Sequence, residues 1–299
     1  MAIPRPLLPP ELERIVVELA ARSDQDTAFA LSHVSSGIRD WVKPSLHRVY
    51  TITPDRPAGL AWLRGAIQDP PSTTLVATHL CALFLSGDGV GEHAADILRA
   101  CPNIETLSIS NDALYDDFMS DMSDLKSLRK LSIDLEEICK NMDLNFPYFQ
   151  LSFRTPFSKL THLEILKTPD ENSRLVACLA NSRFFSLTHL ALPGYPLSDE
   201  FMDKLLRHPS VENMRSLTLV AFVVPSSAYE EERALAYEES AKDSRVVVIP
   251  QEDRVKDWED DAWGNGEGMW ERARKRLEAR RPVDSGETVV DSGERMEKE

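Results

Sequence analysis

The sequence lacks cysteine pairs, long apolar runs and an excess of positive charge, and each absence excludes something. Its four cysteines, Cys81, Cys101, Cys139 and Cys178, are separated by 20, 38 and 39 residues, with no CxxC pair. That spacing is neither a zinc pattern nor a disulfide framework. Free thiols in a reducing compartment, cytoplasm or nucleus, are expected. No stretch of 18 apolar residues occurs, so no membrane-spanning helix is expected. The opening MAIPRPLLPPELE has no apolar core of the kind a secretory signal needs. With 34 bases against 49 acids the net charge is −15, which argues against binding a phosphate backbone. GxSxG, HExxH and other nucleophile–base signatures are missing. No catalytic residue, cofactor or metal is assigned, and the chain is read as a non-enzyme.

What is present divides the chain. At 42% hydrophobic and 28% charged, 299 residues suffice for one or two domains with a real core. Residues 1–225 carry 28 acids and 21 bases, and residues 226–299 carry 21 and 13. The last quarter thus holds about half of the net charge and is a separate segment by composition.

The middle is repetitive. LCALFL from Leu80, IETLSI from Ile104, LRKLSI from Leu128, LTHLEI from Leu160, LTHLAL from Leu187 and MRSLTL from Met214 all fit LxxLxL, at intervals of 24, 24, 32, 27 and 27 residues. SRVVVI from Ser244 is a poorer seventh copy. Helical patterns lie between them, as in HAADILRAC and DEFMDKLLRHP. Strand, turn and helix at this period are the layout of a leucine-rich-repeat solenoid, in which stacking completes each unit's core. The asparagine or cysteine expected after the motif is replaced by Asp88, Asp112, Glu136, Thr168, Tyr195 and Phe222, so a short, irregular stack is expected. The third and fifth motif positions point away from the core. Lys130, His162, Glu164 and His189 would form the polar centre of that column, either as a partner-binding face or as plain solvated strand residues.

The first fifty residues are helical. Pro9 and Pro10 suit a helix entry, with Glu11 and Glu13 in the first turn. Leu12, Ile15, Val16 and Leu19 make one apolar stripe. Ser23 or Asp24 can cap a second helix, and Leu31, Val34, Ile38 and Trp41 continue an apolar face until Pro44. HRVYTI at 47–52 reads as a strand. Three short helices make a weak core, so the unit needs a partner or serves as a cap on the neighbouring domain.

Leu8, Pro9 and Glu11 match the LPxE opening of the F-box, Ile15 and Leu19 its next apolar positions, and Val34-Ser35, Ile38 and Trp41 its later stretch. Over residues 7–50 the chain resembles that family, and an F-box followed by leucine-rich repeats is a familiar arrangement within it. The resemblance implies docking to a Skp-type adaptor of a cullin–RING ubiquitin ligase through Leu8, Pro9, Leu12, Ile15 and Trp41, either at the contact or in the packing behind it. It also implies an unknown protein target for the repeats, with neither nucleic acid nor membrane as partner. The small, polar SHVSSGIRD stretch departs from the family pattern.

The expected fold is therefore α/β (an α+β repeat): a three-helix F-box-like module at 7–50, a connecting segment at 51–74 and a degenerate leucine-rich-repeat solenoid at 75–250. A Trp-rich capping segment at 251–282 and a disordered tail at 283–299 complete the chain. SGDGVGEHAADI at 86–97 places Gly87, Gly89 and Gly91 between strand and helix, but it is not GxGxxG and has no lysine, so it reads as a tight turn rather than a phosphate loop. Trp258, Trp263 and Trp270 would cover the open end of the solenoid or anchor a partner. The Arg272–Arg281 bases interleave with Glu271 and Glu278, as in a salt-bridged helix rather than an import signal. The tail repeats Asp-Ser-Gly-Glu at 284 and 291. A ligase subunit and a non-catalytic repeat scaffold are the two functional readings, with a hidden hydrolase or transferase behind them.

Overall fold

The computed structural model describes residues 8–110, 118–122, 124–134, 156–167, 186–195, 201, 205–206, 216–266 and 268–280. Cys139, Cys178, Asp112, Glu136, Thr168 and the residues 281–299 lie outside them.

Three helices open the chain: α1 (Pro10–Ser23), α2 (Gln25–Ser32) and α3 (Ser36–Leu46). Asp24 caps α2 by accepting a bond from the Thr27 N–H at 2.7 Å, and Ser35 caps α3 through the Ile38 N–H at 3.2 Å. The break between α2 and α3 therefore falls at a serine cap, and Gly37 lies inside α3. Pro44 does not end α3, which runs to Leu46. Proline has no N–H to give the carbonyl four residues back, and the helix stops two residues beyond it. The small core of these helices is Val17, Ala21, Ala28 and Val42, with Leu31, Ile38, Trp41 and Leu46 against it.

Among the described residues that follow, eight strands form an open, all-parallel sheet in sequence order. They are β1 (Val49–Ile52), β2 (Ala82–Leu85), β3 (Thr106–Ile109), β4 (Lys130–Asp134), β5 (His162–Lys167), β6 (His189–Pro193), β7 (Leu219–Pro225) and β8 (Val246–Gln251). Parallel neighbours need crossovers. Those described include α4 (Pro57–Gln68) and α5 (Pro70–His79) before β2, α6 (Gly91–Ala100) before β3, α7 (Phe118–Met122) before β4 and α8 (Glu231–Ser240) before β8. The chain is thus a mixed α/β fold. None of the described helices is long and apolar enough to cross a membrane.

The repeat strings fall in one register from β2 to β6: Ala82, Thr106, Lys130, His162 and His189 are successive partners. Two expectations shift. His189 pairs with Leu219, not Ser216, so the next copy begins at Leu217 (LTLVAF), three residues later than Met214. Val220 pairs with Val246, so the last copy begins at Asp243 rather than Ser244. An odd shift exchanges the two faces of a strand. Val220, Phe222, Val246 and Val248 consequently face the main core, and Leu219, Ala221, Val247 and Ile249 face the other way. HRVYTI forms β1, in register with β2, so the sheet begins at Val49 and residues 51–74 carry α4 and the first half of α5.

One sheet face packs under the crossover helices in a continuous core that includes Leu83, Leu107, Leu131, Leu163 and Leu190. The helical module joins the sheet through stacked rings: His47 on Trp62 at 5.1 Å and Tyr50 on Trp62 at 4.9 Å. Between β2 and α6 Gly87 adopts φ 118°, and a Cβ there would lie 3.0 Å from Pro54 Cγ. Backbone conformation and a close approach explain that glycine without a ligand.

Two helices remain, α9 (Arg254–Trp263) and α10 (Met269–Ala279). They were expected at the open end of the stack. Instead they lie across the second face of the sheet. Trp258, Ala262 and Trp263 pack on Val49, Ala82 and Phe84, and Met269, Trp270, Ala273 and Leu277 pack on Ala191, Leu219, Ala221, Val247 and Ile249. The apolar residues at both ends of that face leave water only if something covers them.

Candidate functional site

Two surfaces carry residues singled out by the sequence. The first is the outer side of α1. Val17 and Ala21 bury the inner side, while Leu8, Leu12, Ile15, Val16 and Leu19 are between 46% and 62% exposed. At 100° per residue Leu12, Ile15, Val16 and Leu19 fall within one sector opposite Val17 and Ala21, and Leu8 precedes the helix. The apolar stripe read from the sequence is therefore not the face that packs the module. Phe29 and Val34 are exposed as well. Pro9 is exposed and precedes the helix, its carbonyl accepting bonds from the Leu12 and Glu13 N–H groups at 3.0 Å. Trp41 is half-buried against the module core, so its place is the packing behind the stripe.

The second surface is the column Lys130, His162, Glu164 and His189. The structure brings the four together on adjacent strands, as the motif spacing requires. The expectation of an open column is corrected, because α9 and α10 cover it. The His162 and His189 rings stack at 4.1 Å and 10°, with Trp270 edge-on at 5.1 and 5.7 Å. Each histidine Nδ1 meets the hydroxyl of the preceding residue, Thr161 at 2.9 Å and Thr188 at 2.7 Å. Those hydroxyls also lie 3.1 and 3.0 Å from carbonyls of the strand before, Arg129 and Thr161, and Thr218 repeats the bond to Thr188 at 3.0 Å. A hydroxyl has one proton. With it given to the carbonyl, each imidazole must donate from Nδ1–H, and its acceptor nitrogen is Nε2. Face-stacked rings direct their lone pairs in parallel planes, which is wrong for sharing one ion. No group of three or more metal-ligating side chains occurs among the described residues.

Around the histidines lies a mixed cluster of charge. Lys130 Nζ donates to the Asp261 carbonyl at 3.4 Å. Asp257 holds Arg272 through both guanidinium NH groups, one at 3.0 Å. Arg254 reaches Ser108 Oγ at 3.1 Å and lies over the Phe84 ring. Ser132 hydrogen-bonds Glu164. The Asp261 carboxyl accepts from the Trp270 N–H at 3.4 Å and so faces the first turn of α10. Between sheet and helices Lys130, His162, Glu164, Arg254, Asp257 and Asp261 line a cavity of about 20 Å³, room for one or two waters.

Burial drives the ionisable groups toward their neutral forms. It pushes the Asp261 carboxyl up to about 7, against the opposing pull of Lys130, and raises Glu164 as well. It holds His162 down to about 3, aided by His189 and Lys130, and lowers His189. With α9 and α10 in place the cavity takes water alone.

Sequence reasoning missed this roof, although a signal existed. β2 (ALFL), β7 (LVAFVVP) and β8 (VVVIPQ) are nearly continuous apolar runs, the mark of strands buried on both faces. Strands β3 to β5 alternate instead.

No family model matches the chain, and no curated protein matches it. Among solved structures, a crystal structure of a Bacteroides fragilis protein aligns with 70% of this chain at 17% identity and a TM-score of 0.41. The match spans 66% of that protein's length, and a likeness at this level carries no argument about function.

Proposed function

We propose that the chain is a substrate-recognition subunit of a cullin–RING ubiquitin ligase, docking a Skp-type adaptor through α1 and its neighbours and a protein target through the remainder. The observation that carries this reading is the second apolar face of α1. A helix whose two opposite sides are both apolar has one side too many for the module alone, and a grooved partner that accepts i, i+3, i+4 anchors accounts for it. Leu12 and Ile15 are the anchors, with Leu8, Pro9, Val16 and Leu19 beside them, and Trp41 stiffens the module from behind. The strands in sequence order, with LxxLxL slots in one register from β2 to β6, support the finer architecture of an irregular leucine-rich-repeat solenoid. Such a protein makes and breaks no bonds; it raises the effective concentration of target near the ligase. Cytoplasm and nucleus are the compartments that fit this role.

The test is co-purification of the full chain with a Skp-type adaptor, beside a Leu12→Asp/Ile15→Asp variant. Wild type forms a 1:1 complex, and the variant loses at least about tenfold in affinity, as expected for truncating interface anchors. Both positions face solvent, so the variant keeps its melting temperature. An absence of binding at micromolar concentration by well-folded wild type overturns the ligase reading and leaves a non-catalytic repeat scaffold. A variant that unfolds throughout makes the module a mere cap.

A further inference from the structure

The α9–α10 hairpin meets the sheet in two unlike ways. At its ends the contact is dry: Trp258 and Trp263 on Phe84 and Ala82, and Trp270 and Leu277 on Leu219 and Val247. Outside these, Glu259 accepts bonds from Thr51 Oγ1 at 2.7 Å and Arg56 at 2.6 Å, a clasp to the first strand. Under the middle, the contact is a small cavity lined by charged side chains among apolar ones. Carboxyls of Glu164, Asp257 and Asp261 crowd there with Lys130, Arg254 and Arg272, and among the described residues the buried Trp258 Nε1–H finds no acceptor. Only Glu252 and Asp253, both exposed, separate β8 from α9.

We propose that this hairpin is a sprung lid: apolar contacts at its two ends, together with the bonds of Arg276 to Glu238 and of Arg280 to the Val246 carbonyl, hold it down, ionisable groups trapped beneath its middle oppose closure, and it lifts as a unit while the sheet stays folded. Lifting uncovers Lys130, His162, Glu164 and His189, the charged stretch of an otherwise apolar face. If the repeats bind a target, this motion controls access to that stretch. The clause about a target rests on the ligase reading, but the lid itself does not. Asp261 is the residue that most opposes closure near neutral pH. At pH 7.5 its carboxyl is ionised in the open hairpin, and the closed site disfavours that charge through burial and the neighbouring Asp257 and Glu164. Lys130 on β4, Arg272 and the Trp270 N–H on α10 partly offset this. His162 and His189 on β5 and β6 are largely neutral in both states at that pH.

Hydrogen exchange of the full chain at pH 7.5 tests the proposal, by comparing residues 254–280 with strands β2 to β5. The hairpin amides share one opening constant, larger than that of the strands by at least about tenfold. Asp261→Asn keeps an acceptor for the Trp270 N–H and removes the charge, so it slows hairpin opening by about tenfold or more, a gain that a merely structural role does not give. Glu259→Ala removes the clasp and speeds hairpin exchange several-fold without changing the strands. Exchange of hairpin and strands with one common opening constant overturns the lid. So does an Asp261→Asn hairpin that opens as fast as wild type, or, should that variant fail to fold, a Glu259→Ala chain whose hairpin and strands loosen together. None of these outcomes depends on adaptor binding, so the lid and the ligase reading fail separately.

Discussion

His162 and Asp261 show how single residues set the response to pH. The folded protein holds His162 well below its unfolded value of about 6.5. The stability it contributes is present above that value and is lost as pH falls toward 3. Asp261 is raised from 3.8 to about 7, so its contribution is present below 3.8 and is lost as pH rises toward 7. The two act in opposite directions and offset one another between about pH 4 and 6.5. Wild type is therefore expected to have nearly level stability over that interval in urea unfolding. Asp261→Asn leaves only Glu164, also raised by burial, against the histidines, and its stability should fall by up to about 1.4 kcal/mol per pH unit as pH drops below 6. A variant as level as wild type would show that the histidines do not titrate on unfolding. Gly268 supplies a second residue-scale prediction. A Cβ there would run into the Asp261 carboxyl and lie 2.8 Å from the Asp257 carbonyl. Gly268→Ala is expected to cost about 1–3 kcal/mol by overpacking, read by urea unfolding followed through tryptophan fluorescence. An unchanged midpoint would mean that the turn yields.

At the scale of elements, β8 is an edge strand whose free backbone groups invite pairing with another chain. Side chains seal it. Glu238 on α8 has a buried side chain and accepts from the Val248 N–H at 2.6 Å and from Arg276 Nε at 2.6 Å. Arg280 donates to the Val246 carbonyl, and Ser226 to that of Gln251. The same glutamate thus ties α10 to α8 and blocks the edge. Glu238→Ala leaves Arg276 half-buried without this partner and exposes the Val248 N–H, an expected loss of about 3–5 kcal/mol. Urea unfolding measures it, with concentration-dependent association by light scattering as the second readout. A loss under about 1 kcal/mol would mean that solvent replaces the clasp.

For the whole molecule, the division is between a sheet roofed on both faces and a small helical module with an unroofed one. The roof means that a molecule can reach the Lys130–His189 column only if the lid has lifted. Removing residues 254–299 should expose Phe84, Leu219, Val247 and Ile249 together, and the shortened chain is expected to bind a hydrophobic dye strongly and to associate at micromolar concentration. A monomeric, dye-free product would show that the second face does not need its cover. The module's own core is small, with Val17, Ala21, Ala28 and Val42 at its centre, and the His47–Trp62–Tyr50 stack ties it to the sheet.

The spacing of LxxLxL by itself determined that strands repeat, which slots face the core and that Lys130, His162, Glu164 and His189 share one column, because the alternation of a strand is local geometry. The helix cap at Asp24, one of two candidates, and the outer stripe of α1 were legible for the same reason, whereas the Ser35 cap that divides α2 from α3 was not. The register of the last two copies was not. Val246, Val247, Val248 and Ile249 are all apolar, and only the partner strand and the layer on each side decide which of them points where. The tertiary structure alone placed α9 and α10 over the column rather than at the end of the stack. That choice depends on apolar area exposed at Phe84 and at Leu219, residues 135 apart in sequence, which become one surface only after the sheet has formed between them.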